Sequence, residues 1–315
     1  MLGIRAHLPR IPITLGQEIT LTSGNAESLA EPDWVGRLRY ACPRCRAPIE
    51  PPRGMHAPRC AQCEFQATQA SGVIGFVPEG AAREWQDFYE AKATGEHADS
   101  SCGVGYSSPL QHRYMIEGFR RMCGNPPASA AILDVGCGNG LFWRALFGGR
   151  PVIGVDFSLR MCVLARAKGL LAYHADATAL PFADGQFDLI YSAEMLQHIA
   201  DLQTVVSELA RVCRPGGRIV VSTLNRPSWY RRAFFLLRDL LLRPNAPRRG
   251  RAIMRTAAEL AASGQARSLV ATRTCWTHFP LPWIHCAITT QYGLDPLATN
   301  IIIEFVKRGR TRNDA

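Results

Sequence analysis

The chain has 315 residues, of which 47% are hydrophobic and 20% charged, and a formal net charge of +10. That length buries one large core plus a small appended module, and the balance excludes a disordered or fibrous chain. No run of about 18 apolar residues occurs, which excludes a membrane-spanning helix. The opening MLGIRAHLPRIPITLGQ sets prolines and arginines where a secretory leader needs an unbroken apolar segment, so a cytoplasmic setting is expected.

Residues 1–35 carry no sustained periodicity and are expected to be loosely ordered. Residues 36–79 hold CPRC and CAQC, which place Cys42, Cys45, Cys60 and Cys63 in two close pairs. Each C-x-x-C sets two thiolates on one tight knuckle, and two knuckles complete a tetrahedral four-thiolate site. A zinc ribbon with a structural Zn2+ is expected, coordinatively full and so without an open position for catalysis. A redox C-x-x-C is the lesser alternative. The other seven cysteines are scattered, and an odd total of eleven argues for metal-bound thiolates in a reducing compartment rather than for disulfides.

Residues 80–128 read as helices, REWQDFYEAKA and then SPLQHRYMIEGFRRMCG, forming a linker or cap over the active site. From 129 onward, apolar β-rich runs alternate with helical patterns. Strands are predicted at 131–135, 151–156, 171–176, 187–192 and 218–223, with weaker ones at about 268–274 and 300–307. LFWRALFG, SLRMCVLARAKG and DLQTVVSELARVCRPGG lie between the early strands. This alternation predicts an α/β fold with a parallel sheet and helices on both faces.

The first of these strands runs into ILDVGCGNG, with Gly136, Gly138 and Gly140 at alternate positions. A dinucleotide site needs G-x-G-x-x-G, and a phosphate loop needs G-x-x-x-x-G-K-[ST]. Here the spacing is G-x-G-x-G, no lysine follows, and Asp134 stands two residues before the first glycine. An acid there repels phosphate and suits a cationic ligand; S-adenosylmethionine carries an ammonium and a sulfonium and no phosphate. Asp156 ends the next strand, where a carboxylate can accept both ribose hydroxyls. Asp176 ends the third, within reach of an adenine amino group. Each acid alone could be a turn former; three at successive strand ends form a pattern.

ILDVGCGNG, GVDFS, HADATALPF, FDLIYSAEMLQHI and RPGGRIVVST, in this order, resemble the class I S-adenosylmethionine-dependent methyltransferases over about residues 115–308. The resemblance implies a Rossmann-like seven-stranded sheet with a reversed final strand, for which IIIEFVK is the candidate, on a chain that also carries the N-terminal ribbon. It implies that Asp134 and the Gly136–Gly140 loop contact the methionine part, Asp156 the ribose, and Asp176 with Ala177 the adenine. Cys137, Phe157 and Ser192 join that implied cofactor set.

The methyl acceptor is expected to face SAEMLQHIAD, after the fourth strand. Glu194 and His198 are four apart and would share one face of a helix, with His198 as candidate general base; the alternative is a histidine that shapes the pocket. EMLQH is similar to the ubiquinone-pathway O-methyltransferases, in which E-x-x-E-H binds a divalent metal. Here Gln197 replaces the second glutamate, and a neutral amide is a poor ligand for a hard cation. Residues 226–255 hold nine arginines and one acid, Asp239, interleaved with Trp229, Phe234, Leu236, Leu237, Leu240 and Leu241. This basic amphipathic insertion at 225–256 reads as a lid, with peripheral membrane contact as its extension. The reading reached is a methyltransferase acting on a small, lipophilic or polycyclic acceptor, with O-methylation foremost. The alternatives are an RNA base methyltransferase that uses ribbon and arginines on nucleic acid, and a non-catalytic adaptor that binds S-adenosylmethionine.

Overall fold

The computed structural model describes residues 33–52, 56–78, 109–226, 252–277, 286–289 and 298–309, together with residues 87, 89–91, 93, 228, 229, 233 and 236. The chain divides into two units, Met1–Ala30 and Glu31–Ala315, and every described element belongs to the second. Most of the N-terminus expected to be loosely ordered, most of residues 80–108 of the cap expected over 80–128, and most of the basic insertion lie outside the described residues.

In the cysteine segment, β1 (Tyr40–Ala41) pairs with β2 (Pro48–Ile49) around the first knuckle, and β3 (Thr68–Ala70) with β4 (Val73–Gly75) after the second. Helix α1 (Pro109–Cys123) leads into the alternating region: β5 (Ile132–Val135), α2 (Leu141–Phe147), β6 (Ile153–Asp156), α3 (Leu159–Ala167), β7 (Leu171–His174), β8 (Phe187–Ser192), α4 (Leu202–Val212) and β9 (Cys213–Leu224). Then follow α5 (Ala257–Gln265), β10 (Leu269–Thr277), β11 (Cys286–Thr289) and β12 (Asn300–Lys307).

The main sheet has the order β11-β10-β12-β9-β8-β5-β6-β7-β4-β3. Strands β5 to β9 pair in parallel, and β12 runs antiparallel to both β9 and β10, as the reversed final strand requires. The seven expected strands thus form one contiguous block. The sequence reading did not include β11 on one edge or the ribbon hairpin β3–β4 on the other. Strand β5 is buried along its whole length, the mark of a central parallel strand covered on both faces.

Local chemistry sets the helix boundaries. Ser158 caps α3 by accepting from the Met161 N–H, and Asp201 caps α4 by accepting from Thr204. Helix α4 stops at Val212 because Pro215 and two glycines follow; Cys213 is already extended, and the predicted helical tail CRPGG becomes the start of β9. Two arginines on the strands, Arg218 and Arg273, donate to the Met122 and Cys123 carbonyls at the end of α1 while pairing with buried Glu304. They satisfy helix-end acceptors that would otherwise be orphaned.

One face of the sheet packs under α1, α2 and α3, with Phe119, Phe142, Trp143 and Tyr191 in the layer. The other packs under α4 and α5, and there the ribbon joins the same apolar cluster through Tyr40, Cys42, Ile49, Cys60, Ile74 and Phe76. Tyr40 lies 5.5 Å from Phe182 and 6.0 Å from Tyr173, ring to ring. Burying a side chain such as Phe76 contributes about 2–3 kcal/mol. The ribbon is part of the core of this unit. No helix among the described residues is long and apolar enough to cross a membrane.

Candidate functional site

The residues singled out from sequence gather at one end of the parallel strands, where open α/β sheets bind ligands. Gly136, Gly138 and Gly140 all have positive φ, at +80°, +52° and +80°. At Gly136 a Cβ would lie 2.8 Å from the Met195 Cβ, and at Gly140 it would lie 3.1 Å from the Ala165 Cα. Both the turn and the close packing of loop on helix therefore require glycine. The loop is tied to β6 by the N–H groups of Gly136 and Cys137, which donate to the Val155 carbonyl at 2.8 and 3.0 Å. Asp156 holds it from the other side: one carboxylate oxygen accepts from the Gly138 N–H at 2.8 Å, the other from the Ser158 N–H at 2.9 Å.

The other cofactor candidates divide by burial. Asp134 is only 2% exposed and accepts the Tyr191 hydroxyl at 2.7 Å. Burial pushes its carboxyl up to about 8, against the opposing Tyr191 hydrogen bond; burial likewise raises Asp156 to about 6. Ser192 is buried and donates to the Val135 carbonyl at 2.7 Å, tying β8 to β5. Cys137 is buried beneath the loop. Phe157, Asp176 and Ala177 are half-buried along the cleft. Asp176 accepts from both the N–H and the hydroxyl of Thr178, at 2.8 and 2.7 Å, and so shapes its own loop.

After β8 the chain does not form the α-helix that would put Glu194 and His198 on one face. Glu194 sits at φ +57°, and His198 closes a 3-10 turn at Leu196–His198. The left-handed backbone is held by the Ser222 hydroxyl oxygen, which accepts from the Glu194 N–H at 2.8 Å. The carboxylate accepts from Ser222 Oγ at 3.0 Å and Asn300 Nδ2 at 2.8 Å. The His198 Nε2 lies 2.9 Å from the Tyr89 hydroxyl. Burial, with the Asp156 and Glu194 carboxylates nearby, pushes the Tyr89 phenol well up, so it stays protonated. Gln197 is buried, and its backbone carbonyl accepts from the Ile253 N–H. Glu194 and His198 therefore do not share a helical face. Tyr89, Ser222 and Asn300 were not singled out from sequence. Tyr89 lies in the expected cap helix, but its contact spans 109 residues.

Among the described residues, Cys42, Cys45, Cys60 and Cys63 are the one group of three or more His, Cys, Asp or Glu side chains with metal-site geometry, their sulfurs all within 4.8 Å of one another. The two knuckles repeat each other. Cys42 N–H donates to Ala47 O and Cys60 N–H to Phe65 O, both at 2.8 Å, and Arg46 and Glu64 occupy equivalent left-handed positions, φ +67° and +58°. Backbone N–H groups of Arg44 and Cys45 point at the Cys42 sulfur, and those of Gln62 and Cys63 at Cys60. Four convergent sulfurs with amide donors behind them fit a tetrahedral Zn2+.

Residues 133–221 match the family described as "Methyltransferase domain". The malonyl-[acyl-carrier protein] O-methyltransferase of Erwinia billingiae (strain Eb661) is 40% identical over 123 residues, 35% of this chain and 48% of that protein. The ubiquinone biosynthesis O-methyltransferase of Thiobacillus denitrificans (strain ATCC 25259 / T1) is 38% identical over 109 residues, 32% of this chain and 47% of that one. This chain spans about half the length of these curated relatives. Among solved structures, the magnesium protoporphyrin IX methyltransferase of Synechocystis PCC 6803, with bound S-adenosylhomocysteine, aligns with a TM-score of 0.51 at 17% identity, covering 70% of this chain and 99% of that one. Residues 133–221 thus resemble a methyltransferase domain, and the chain shares the fold of this solved methyltransferase.

Proposed function

We propose that this chain transfers a methyl group from S-adenosylmethionine to an oxygen of a small, lipophilic or polycyclic acceptor. The observation that carries the reading is Asp156, at the end of β6, pinned against the glycine loop by Gly138 and Ser158. Such a carboxylate is oriented to accept ribose hydroxyls, while Asp134 behind the loop offers negative charge to a cationic methionine part. S-adenosylmethionine supplies an electrophilic methyl on a sulfonium. Asp176 and Ala177 flank the adenine, with Cys137, Phe157 and Ser192 shaping the loop and strand ends around it. His198, whose Nε2 lone pair faces the Tyr89 phenol, takes the acceptor's proton, and Glu194 lines the same side. The relatives' names, both O-methyltransferases, support transfer to oxygen.

The four cysteines hold a structural Zn2+ in this reading. The segment 226–255 makes peripheral contact with an anionic membrane that holds a lipophilic acceptor. Among its described residues Trp229 and Leu236 are helical and 58% and 73% exposed, large apolar groups amid nine arginines.

Native mass spectrometry of the purified protein tests the reading. The expected spectrum shows one zinc per chain, S-adenosylmethionine or its homocysteine product, and a carried small hydrophobic molecule. Co-purified RNA fragments in place of the small molecule would move the acceptor to nucleic acid. A protein that cannot be loaded with the adenosyl cofactor would overturn the proposal.

The raised carboxyls make a second expectation with a definite sign. The cofactor-free fold keeps protons on Asp134 and Asp156 that the unfolded chain loses near pH 4. Its stability from these groups is therefore present at low pH and lost as pH rises through about 6 and about 8. The ligand needs both groups ionised, so affinity for S-adenosylhomocysteine rises over the same range and binding at pH 6.5 releases protons. Calorimetry in two buffers of different ionisation enthalpy reads that release; identical heats would remove the linkage.

A further inference from the structure

A full four-thiolate site does no chemistry, so in the small-acceptor reading the sequence alone leaves the ribbon without a task. Its place in the fold supplies one. The stretch from His174 to Ala183, which leaves β7 and carries Asp176 and Ala177, touches the ribbon at both ends.

At the first end, β4 of the ribbon pairs in parallel with β7, with Gly75 opposite His174. The Phe76 N–H donates to the His174 carbonyl at 2.7 Å. A Cβ on Gly75 would lie 2.4 Å from Thr68 Oγ1 on the adjoining ribbon strand and 3.3 Å from His174 Nδ1, so a side chain here crowds both the hairpin and β7. The His174 ring in turn donates through Nε2 to the Phe157 carbonyl at 3.1 Å, next to Asp156. At the other end, Ala41 N–H donates to Pro181 O at 3.1 Å and Ala183 N–H to Arg39 O at 2.9 Å. Tyr40 packs on Phe182 and shares a hydroxyl hydrogen bond of 2.9 Å with Tyr173. Arg46, on the first knuckle itself, reaches the Leu180 carbonyl at 3.4 Å and buried Glu208 at 2.9 Å.

We propose that the ribbon is a built-in effector of the cofactor site: Zn2+ on its four cysteines fixes the loop 174–183 from both ends and so sets the affinity for the adenosyl cofactor. The proposal rests on the cofactor site proposed above. The physical chain is short. The knuckles order β1, Arg46 and the β3–β4 hairpin only while the four sulfurs are held together. Without a cation, four crowded thiols lose that restraint, and the backbone partners of His174, Pro181 and Ala183 are lost with it. The loop must then be ordered at the expense of binding free energy. Coupling of this kind is reciprocal, so the cofactor must tighten zinc by the same factor.

The test titrates S-adenosylhomocysteine into the full-length protein by calorimetry, zinc-loaded, after chelation, and after zinc is restored. Amide exchange of residues 174–183 is measured alongside. The expected result is an affinity loss of about tenfold or more on chelation, faster exchange across 174–183, and recovery with zinc. Zinc affinity, measured by competition with a chromogenic chelator, should rise by the same factor when S-adenosylhomocysteine is present. Gly75→Val, with all four cysteines in place, should retain one zinc per chain and still lose affinity. A folded zinc-free protein with undiminished affinity would overturn the proposal, as would an exchange change confined to 36–78. If chelation unfolds the whole unit, Gly75→Val decides, and undiminished affinity there also overturns it. A zinc-loaded wild type that fails to bind S-adenosylhomocysteine at all would instead overturn the cofactor assignment.

Discussion

Replacing Asp156 by alanine is expected to lower affinity for S-adenosylhomocysteine by about 100-fold or more, because two charge-assisted hydrogen bonds of about 1.5–3 kcal/mol each are lost. Two losses combine. The ribose hydroxyls lose an ionised acceptor, and the glycine loop loses the carboxylate that accepts from Gly138 and Ser158. The second loss matters because the loop's three left-handed residues are glycines, whose backbone freedom leaves the loop to be fixed by its partners. Asp156→Asn separates the two losses. Its amide oxygen can still accept from one loop N–H, but the charge is gone, so an intermediate loss is expected. The core should be spared, since Leu133, Ile153 and Val155 pack regardless of this side chain. A circular-dichroism melt within a few degrees of wild type, with binding lost by calorimetry, is the outcome consistent with the assigned role. Asp156→Ala with affinity within about threefold of wild type would remove the ribose assignment.

Residues whose surroundings are local were legible in the sequence. Strands β5 to β9 announce themselves as apolar runs, and Ser158 and Asp201 announce the starts of α3 and α4. The glycine loop carries its own backbone requirement. The cysteine pairs carry theirs, and the sulfurs do converge. What stayed hidden depends on partners far along the chain. Tyr40 meets Tyr173 across 133 residues, and Arg46 meets Glu208 across 162. No periodicity encodes either contact, so the ribbon reads as an appended module although its β3–β4 hairpin joins the main sheet. Helix α5 escaped notice because AAELAASGQ has little apolar contrast between its faces. Asp134 and Ser192 were legible as polar residues at strand ends, but the hydroxyl partners that draw them inward, Tyr191 for one and the Val135 carbonyl for the other, are set by strand pairing. The spacing of Glu194 and His198 suggested a helical face; a single left-handed residue at Glu194, stabilised by Ser222 from β9, breaks that face.

The pairing of His198 with Tyr89 leads to the other large effect. For His198 to act as a base on this side, its imidazole proton must sit on Nδ1, and the protonated phenol then donates to Nε2. Nε2 is therefore the basic atom, and an acceptor hydroxyl reaches it only through, or in place of, the Tyr89 hydroxyl. In the first case the acceptor's proton passes to the Tyr89 oxygen as the phenol proton passes to Nε2; in the second the acceptor donates to Nε2 directly. His198→Ala removes the base in both cases and is expected to lower turnover by about 100- to 1,000-fold, the range of general-base catalysis. Affinity for S-adenosylhomocysteine should change little, because the glycine loop is held by the Val155 carbonyl and the Asp156 carboxylate. Tyr89→Phe distinguishes the two cases. Relay through the phenol predicts a fall in turnover close to that of His198→Ala, whereas displacement predicts turnover near wild type with a changed KM for the acceptor. Both variants are followed by the rate of S-adenosylhomocysteine formation at saturating cofactor, since apparent losses from weaker cofactor binding disappear there. Unchanged turnover in His198→Ala would leave the histidine as a wall of the pocket and give the proton to solvent or to the acceptor itself.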